Sequence, residues 1–204
     1  VNRGRFDPAV LRESDLPGFD CLGNDICGLD EAGRGPLVGP VCAAAVILPD
    51  NFNYGLLDDS KVLSPAKREA AYDAIVSGAV DWAIAWATWE EIGSLNILNA
   101  SLLAMKRAFG ALGERPRLAY VDGNKVPSLT CPTFAVIQGD SLIPSIMAAS
   151  ILAKVARDRL MTRLDVLEPV YGFGRHKGYP TKQHRETIKK TGLSLWARPG
   201  FRIS

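Results

Sequence analysis

A mixed α/β domain, with helices covering a sheet of about five strands, is the fold class this chain of 204 residues predicts. Short strand-like runs alternate with longer segments of helical period. The composition, 47% hydrophobic and 23% charged, is that of a globular domain with a sizeable core. No internal repeat or low-complexity linker divides the chain. Residues 1–24 read as an irregular N-terminal segment, punctuated by Pro8, Pro17, Gly18 and Gly23. Residues 25–168 read as the core, and residues 169–204 as a basic loop and helix extension of the same domain.

The elements follow in order. A strand through Ile26 to Asp30, a glycine-rich turn and a second strand through Val41 to Leu48 predict a hairpin-like start. Ser64-Pro65 supplies an N-cap and a first helical position for a helix reaching about Ser77. Trp82, Ile84, Trp86 and Thr88 alternate with Ala83, Ala85 and Ala87, a third strand with a large and a small face. Asn96 caps a helix in which Leu98, Leu102, Met105 and Phe109 keep the helical period until Gly110 and Gly113. Leu118 to Asp122 and Thr133 to Gln138 are two further strands. A long helix from about Ile143 to Leu167, a loop carrying GFGRHKGYP and a short helix from Thr181 to Gly192 complete the reading.

No apolar run reaches the roughly 18 residues of a membrane span, and the longest, VCAAAVIL, stops at Pro49 and Asp50. VNRGRFDPAV lacks a signal-peptide core, so a cytoplasmic protein without a membrane partner is expected. Cys21, Cys27, Cys42 and Cys131 form no CxxC pair. With only His176 and His184 beside them, structural zinc is disfavoured and reduced thiols are the simpler reading. Asn99-Ala100-Ser101 matches a glycosylation acceptor by chance, inside a helical pattern. The spacing of Gly33, Gly35 and Gly39 misses the dinucleotide fingerprint and no GxxxxGK[ST] occurs, which argues against a nucleotide cofactor.

The net charge of +2 conceals an asymmetry: residues 151–204 hold twelve Lys or Arg against four Asp or Glu, whereas the first 150 hold twelve against eighteen. The basic segment suits phosphate contacts and equally suits a solvated helix face.

Four carboxylates lie in apolar or glycine-flanked surroundings at strand ends: Asp30 and Glu31 in ICGLDEAGRGP, Asp122 in LAYVDGN and Asp140 in FAVIQGD. Charges withdrawn from water need a counter-charge, so together they suggest a divalent-cation site and phosphodiester chemistry. Two cations about 3.5–4 Å apart activate a water and stabilise the leaving oxygen of an in-line displacement. Oxygen ligands suit Mg²⁺ or Mn²⁺. Singly, Asp122 and Asp140 are ordinary turn residues. Adjacent residues on a regular strand face opposite ways, so Asp30 and Glu31 share a site only if the strand ends or bulges there.

Gly33-Arg34-Gly35-Pro36 allows close backbone approach to a substrate, with a guanidinium for phosphate or a sugar, and is also compatible with a plain tight turn. Tyr179, in a basic loop after Arg175-His176-Lys177-Gly178, suits packing on a sugar or base, or on its own loop. His176 reads as a loop hydrogen-bonding residue. Trp82, Trp86 and Trp89 read as core.

The ordered segments GLDEAGRGPLVGPV, DDSKVLS, LNILNASLLAMKRA, VDGNKVP, QGDSLIPSIMAASILAKVARDRLM and YGFGRHKGYPT closely resemble ribonuclease HII, the type 2 ribonuclease H family, from about Ile26 to Gly192. The resemblance implies a ribonuclease H-like fold: a central mixed five-stranded sheet flanked by helices, with a small helical C-terminal extension. It implies an endonuclease that hydrolyses RNA in RNA/DNA hybrids and cuts 5′ of single ribonucleotides in duplex DNA, leaving 3′-hydroxyl and 5′-phosphate ends, as in ribonucleotide excision repair. Mg²⁺ or Mn²⁺ would be held by the catalytic Asp30, Glu31, Asp122 and Asp140. By the same resemblance Gly33, Arg34 and Gly35 meet the ribose 2′-hydroxyl, Tyr179 packs at the junction with the next deoxyribose, and Lys61 and Ser141 contact phosphate, with Lys154 and Arg157 as weaker candidates. A backbone that reads the 2′-hydroxyl distinguishes RNA from DNA without reading base identity.

Two features depart from the pattern. Val62 stands where many relatives have a second lysine, and the ending SLWARPGFRIS matches poorly, so no residue is carried over from it. A monomer is the expected state. The alternatives are another two-metal nuclease of the same fold, such as a junction resolvase or a type 1 ribonuclease H, and a non-catalytic nucleic-acid-binding module. Against the module, four carboxylates without metals would repel phosphate.

Overall fold

The computed structural model describes residues 10–11, 15–16, 22–57 and 63–201. Its centre is a sheet built on β2 (Ile26–Ala32), β3 (Val41–Ile47), β4 (Asp81–Ala87), β5 (Leu118–Asp122) and β6 (Thr133–Val136), the five strands expected. A two-residue strand, β1 (Val10–Leu11), lies inside the segment read as irregular and pairs parallel to β6. The order is β1-β6-β5-β2-β3-β4, so the sheet has six strands. β2, β3 and β4 form an antiparallel meander, while β2, β5 and β6 run parallel.

β3 is buried along its whole length because its VCAAAVI run is small enough for helices to pack on both faces. On one face lie α2 (Trp89–Leu95) and α3 (Ile97–Gly110), with Met105 and Phe109 packed on Leu29, Ala43 and Val121. On the other lie α1 (Pro65–Gly78) and α4 (Pro144–Leu167), where Ile75, Ile151 and Leu152 meet Ala44 and Val46. β4 divides as its alternation predicts: Trp82, Ile84 and Trp86 join the α1/α4 side, and Ala83, Ala85 and Ala87 the α3 side.

Local capping sets the helix starts. Ser64, Asn96 and Thr181 each accept a backbone N–H of the first turn. Thr88, expected as the end of β4, instead caps α2 in a reciprocal box with Glu91. The GFGRHKGYP loop contains a short helix, α5 (Phe173–His176), ahead of α6 (Lys182–Thr191). α5, α6 and the tail pack on Leu37, Val38 and Met161. Trp89 leaves the sheet and meets Trp196 of the tail edge-on, with ring centroids 4.8 Å apart. No described helix is long and apolar enough to cross a membrane.

Candidate active site

The parallel strands β2, β5 and β6 end on the same edge of the sheet, the edge at which parallel α/β sheets hold ligands. Asp30 lies just past Leu29, the last β2 residue paired with β5. Asp122 ends β5, and Asp140 sits in the 3-10 turn Gly139–Ser141 after β6. Oxygens of these three side chains lie within 4.8 Å of one another. Asp140 donates its backbone N–H to Asp122 Oδ1 at 3.3 Å, which ties the turn to the strand.

Asp30 is 5% exposed and Asp140 7%. Burial first, then the neighbouring Glu31 and Asp122 carboxylates, push the Asp30 carboxyl well above its usual range, while the Ser150 hydroxyl and the Glu31 amide N–H pull it back. α4 reaches Asp30 because β2 has no side chain at Gly28: a Cβ there would stand 2.1 Å from the Ser145 carbonyl carbon. Ser150, Lys154 and Asp158 follow at intervals of four on α4, and all three line the cleft. That spacing was legible as one helix face.

The β2–β3 ladder neither ends nor bulges at Asp30 and Glu31, the condition set for their sharing a site. Asp30↔Ala44, Glu31↔Ala43 and Ala32↔Cys42 continue the ladder without interruption. Asp30 therefore joins Asp122 and Asp140 on the α4 face, and Glu31 falls outside that trio. Glu31 still borders the cleft, because β2 outruns its pairing with β5 and the sheet opens there. The Arg34 guanidinium lies 3.5 Å from it.

The cleft, about 300 Å³, is also lined by Gly33, Arg34, Gly35 and Tyr179. Tyr179 is 41% exposed, and a Cβ at Gly35 would lie 3.3 Å from its ring. Gly33 has φ +102°, and a Cβ there would stand 2.0 Å from Arg157 Nε, so this position demands glycine twice over. His176, read as a loop residue, is the buried last residue of α5, and it does serve hydrogen bonding: its Nδ1 accepts the Gly178 N–H and its Nε2 donates to the Tyr171 carbonyl. His184 stacks on it at 4.3 Å and donates from Nδ1 to the Tyr179 carbonyl. Both rings thus hold the backbone around Tyr179.

The phosphate candidates, Lys61 and Ser141 with the weaker Lys154 and Arg157, are placed differently. Arg157 is 1% exposed, and its three nitrogens donate to the carbonyls of Pro40, Lys177 and Val38. Lys154 borders the cleft, paired with Asp158 at 2.9 Å. Ser141 donates its hydroxyl to the Gln138 carbonyl. Lys61 and Val62 lie outside the described residues. The tail, from which no residue was carried over, supplies Arg198, whose guanidinium lies beneath the Gly33–Pro40 loop.

A family model described as Ribonuclease HII matches residues 27–204, so the match runs through the tail. The chain belongs to the ribonuclease HII family. A ribonuclease HII of Burkholderia thailandensis is 52% identical over 183 residues, covering 90% of this chain and 86% of the relative. The crystal structure of ribonuclease H2 from Pyrococcus horikoshii OT3 superposes with a TM-score of 0.72 at 26% identity, over 87% of this chain and 94% of that one. Bst-RNase HIII in complex with Mn²⁺ is similar in fold alone, at TM-score 0.68 and 17% identity over 88% and 67% of the two chains. Ribonuclease HII is a metal-dependent endonuclease hydrolase acting on nucleic acid, which sets aside the non-catalytic module. The donors present fit such a metal: an oxygen-only trio of crowded carboxylates, in which burial and the neighbouring negative charges raise the pKa of Asp30, matches a hard divalent cation that would relieve the crowding.

Proposed function

We propose that this ribonuclease HII hydrolyses RNA in RNA/DNA hybrids and cuts 5′ of single ribonucleotides in duplex DNA, leaving 3′-hydroxyl and 5′-phosphate ends. The observation that carries it is that Asp30, Asp122 and the Gly33–Gly35 turn line one cleft with Tyr179, and that Asp140 joins the two aspartates. Asp30, Glu31, Asp122 and Asp140 would hold two Mg²⁺ or Mn²⁺ ions. Bound there, divalent cations neutralise phosphate charge and activate water for in-line displacement.

The chain's own residues do the rest. Ser150 orients Asp30 through its hydroxyl. The Asp122–Asp140 link holds two carboxylates at one place before any ion arrives. The backbone of Gly33, Arg34 and Gly35 approaches the 2′-hydroxyl, and the Tyr179 ring packs on the following deoxyribose. Lys61 and Ser141 serve phosphates, as does the basic C-terminal extension.

A duplex with one ribonucleotide, compared with an all-DNA duplex with and without Mg²⁺ or Mn²⁺, tests this. A single metal-dependent cut on the 5′ side of the ribonucleotide is the expected product. Equal cutting of the all-DNA duplex, or cutting that ignores metal, overturns the proposal.

A further inference from the structure

Arg198 reaches the substrate-reading turn from the far end of the chain and spends all five of its N–H donors on it. Nε donates to the Gly39 carbonyl at 2.7 Å, Nη1 to Arg34 at 3.0 Å and Pro36 at 2.8 Å, and Nη2 to Gly33 at 2.6 Å and Pro40 at 3.2 Å. The residue is 4% exposed. Arg157 shares the Pro40 carbonyl, adds that of Val38, and ties the same loop to the Tyr179 loop through the Lys177 carbonyl. Neither guanidinium pairs with a carboxylate among the described residues.

Such burial is unfavourable for a cation unless its donors are fully met, and here backbone carbonyls meet them. The loop needs the arrangement equally, because buried carbonyls outside a helix or sheet require donors. A trans peptide holds its C=O and N–H on opposite sides. With the Gly33 and Arg34 carbonyls turned to Arg198, the N–H groups of Arg34 and Gly35 point away from it. Neither N–H meets an acceptor among the described residues, and both residues line the cleft. Two successive N–H groups left in this way form a site for an oxygen lone pair.

The tail is itself anchored. Gly39 N–H donates to the Trp196 carbonyl, Arg198 N–H to that of Leu37, and Val38 bridges Ala197. Leu37 N–H donates to the Gly178 carbonyl of the Tyr179 loop. The tail, the turn and the tyrosine loop therefore form one hydrogen-bonded unit beside the carboxylates.

We propose that Arg198, seconded by Arg157, is a positioning residue for ribonucleotide recognition: it holds the Gly33–Pro40 carbonyls inward so that the Arg34 and Gly35 amides face a ribose 2′-hydroxyl. This rests on the ribonuclease reading above and adds the part that sets its selectivity.

The test measures binding in EDTA and single-turnover cleavage in Mg²⁺, on a duplex with one ribonucleotide and on an all-DNA duplex, for the wild type, Arg198→Lys and Arg198→Ala. Affinity for all-DNA duplex stays at the wild-type value, since the basic surface is untouched. The preference for the ribonucleotide duplex disappears, and the cleavage rate falls about 10- to 100-fold, the size of effect a misplacement near 1 Å produces. Guanidinium ion added to Arg198→Ala restores part of the rate, and added to the wild type restores nothing. Should Arg198→Ala not fold, Arg198→Lys carries the test, because one ammonium cannot span five carbonyls.

Wild-type preference and rate in Arg198→Lys overturn the proposal. So does a parallel loss of all-DNA affinity without rescue, which marks a purely structural role. A wild type that ignores the ribonucleotide defeats the ribonuclease reading instead, so the two failures are distinguishable.

Discussion

Asp140 gives its backbone N–H to Asp122 Oδ1, joining the turn after β6 to the end of β5. The bond sets the Asp140 turn beside the Asp122 carboxylate. Asp122→Asn and Asp140→Asn each remove one charged ligand and leave the basic surface intact. Removing an outer-shell partner costs about 10- to 100-fold in metal affinity or activity, and losing a ligand should exceed that. Cleavage assays with Mg²⁺ are expected to show near-complete loss, and gel-shift binding of a hybrid to persist. Near-normal cleavage by both variants would contradict the assignment.

Asp30 gives the stability of the metal-free protein a dependence on pH. Its carboxyl is pushed up by burial, Glu31 and Asp122. The stability it contributes is complete below the unfolded value of about 3.9 and is lost as pH rises through the folded value. In EDTA, melting should therefore weaken as pH rises above about 4, and Asp30→Asn should flatten that slope. The variant should melt higher than the wild type at pH 8, by about 2–4 °C per kcal/mol of repulsion relieved, and gain little from Mg²⁺. Thermal scans across pH decide it; a lower melting point for Asp30→Asn at pH 8 would speak against the crowding.

Ser150 acts through Asp30. Ser150→Ala keeps the helix and removes a hydroxyl that favours the ionised carboxylate. The apparent Mg²⁺ affinity in cleavage titrations should fall about 10-fold or more, while substrate KM at saturating metal stays put. An unchanged metal titration would remove Ser150 from the site.

Tyr179 lies beside Gly35 and half exposed over the cleft. An aromatic ring packed on a nucleotide contributes about 1–3 kcal/mol. For Tyr179→Ala, cutting at a lone ribonucleotide should fall more than cutting of a long hybrid, where neighbouring ribonucleotides offer other registers. Rates on the two substrates measure this, and equal losses would exclude a role at the junction.

Much of the framework is local in origin and so was readable residue by residue. Ser64, Asn96 and Thr181 cap helices where their side chains reach the next turn, and β4 sorts its tryptophans from its alanines by strand period. The box between Thr88 and Glu91 belonged to the same class of signal and marks the start of α2, whose cap Thr88 the strand reading absorbed as its last residue. The α4 stripe of Ser150, Lys154 and Asp158 was also visible as spacing, though only the position of Asp30 gives it meaning.

The sequence by itself determined the five main strands, the helices capped by Ser64, Asn96 and Thr181 and the carboxylates that follow strand-like runs, because period and capping act over a few residues. Tertiary structure alone decided that Asp30 and Glu31 part to opposite faces, that Arg157 turns inward, and that Arg198 grips Gly33 across 165 positions of chain. The reason is physical: a buried guanidinium is tolerated only where carbonyls converge, and that convergence exists only once the chain has closed on itself.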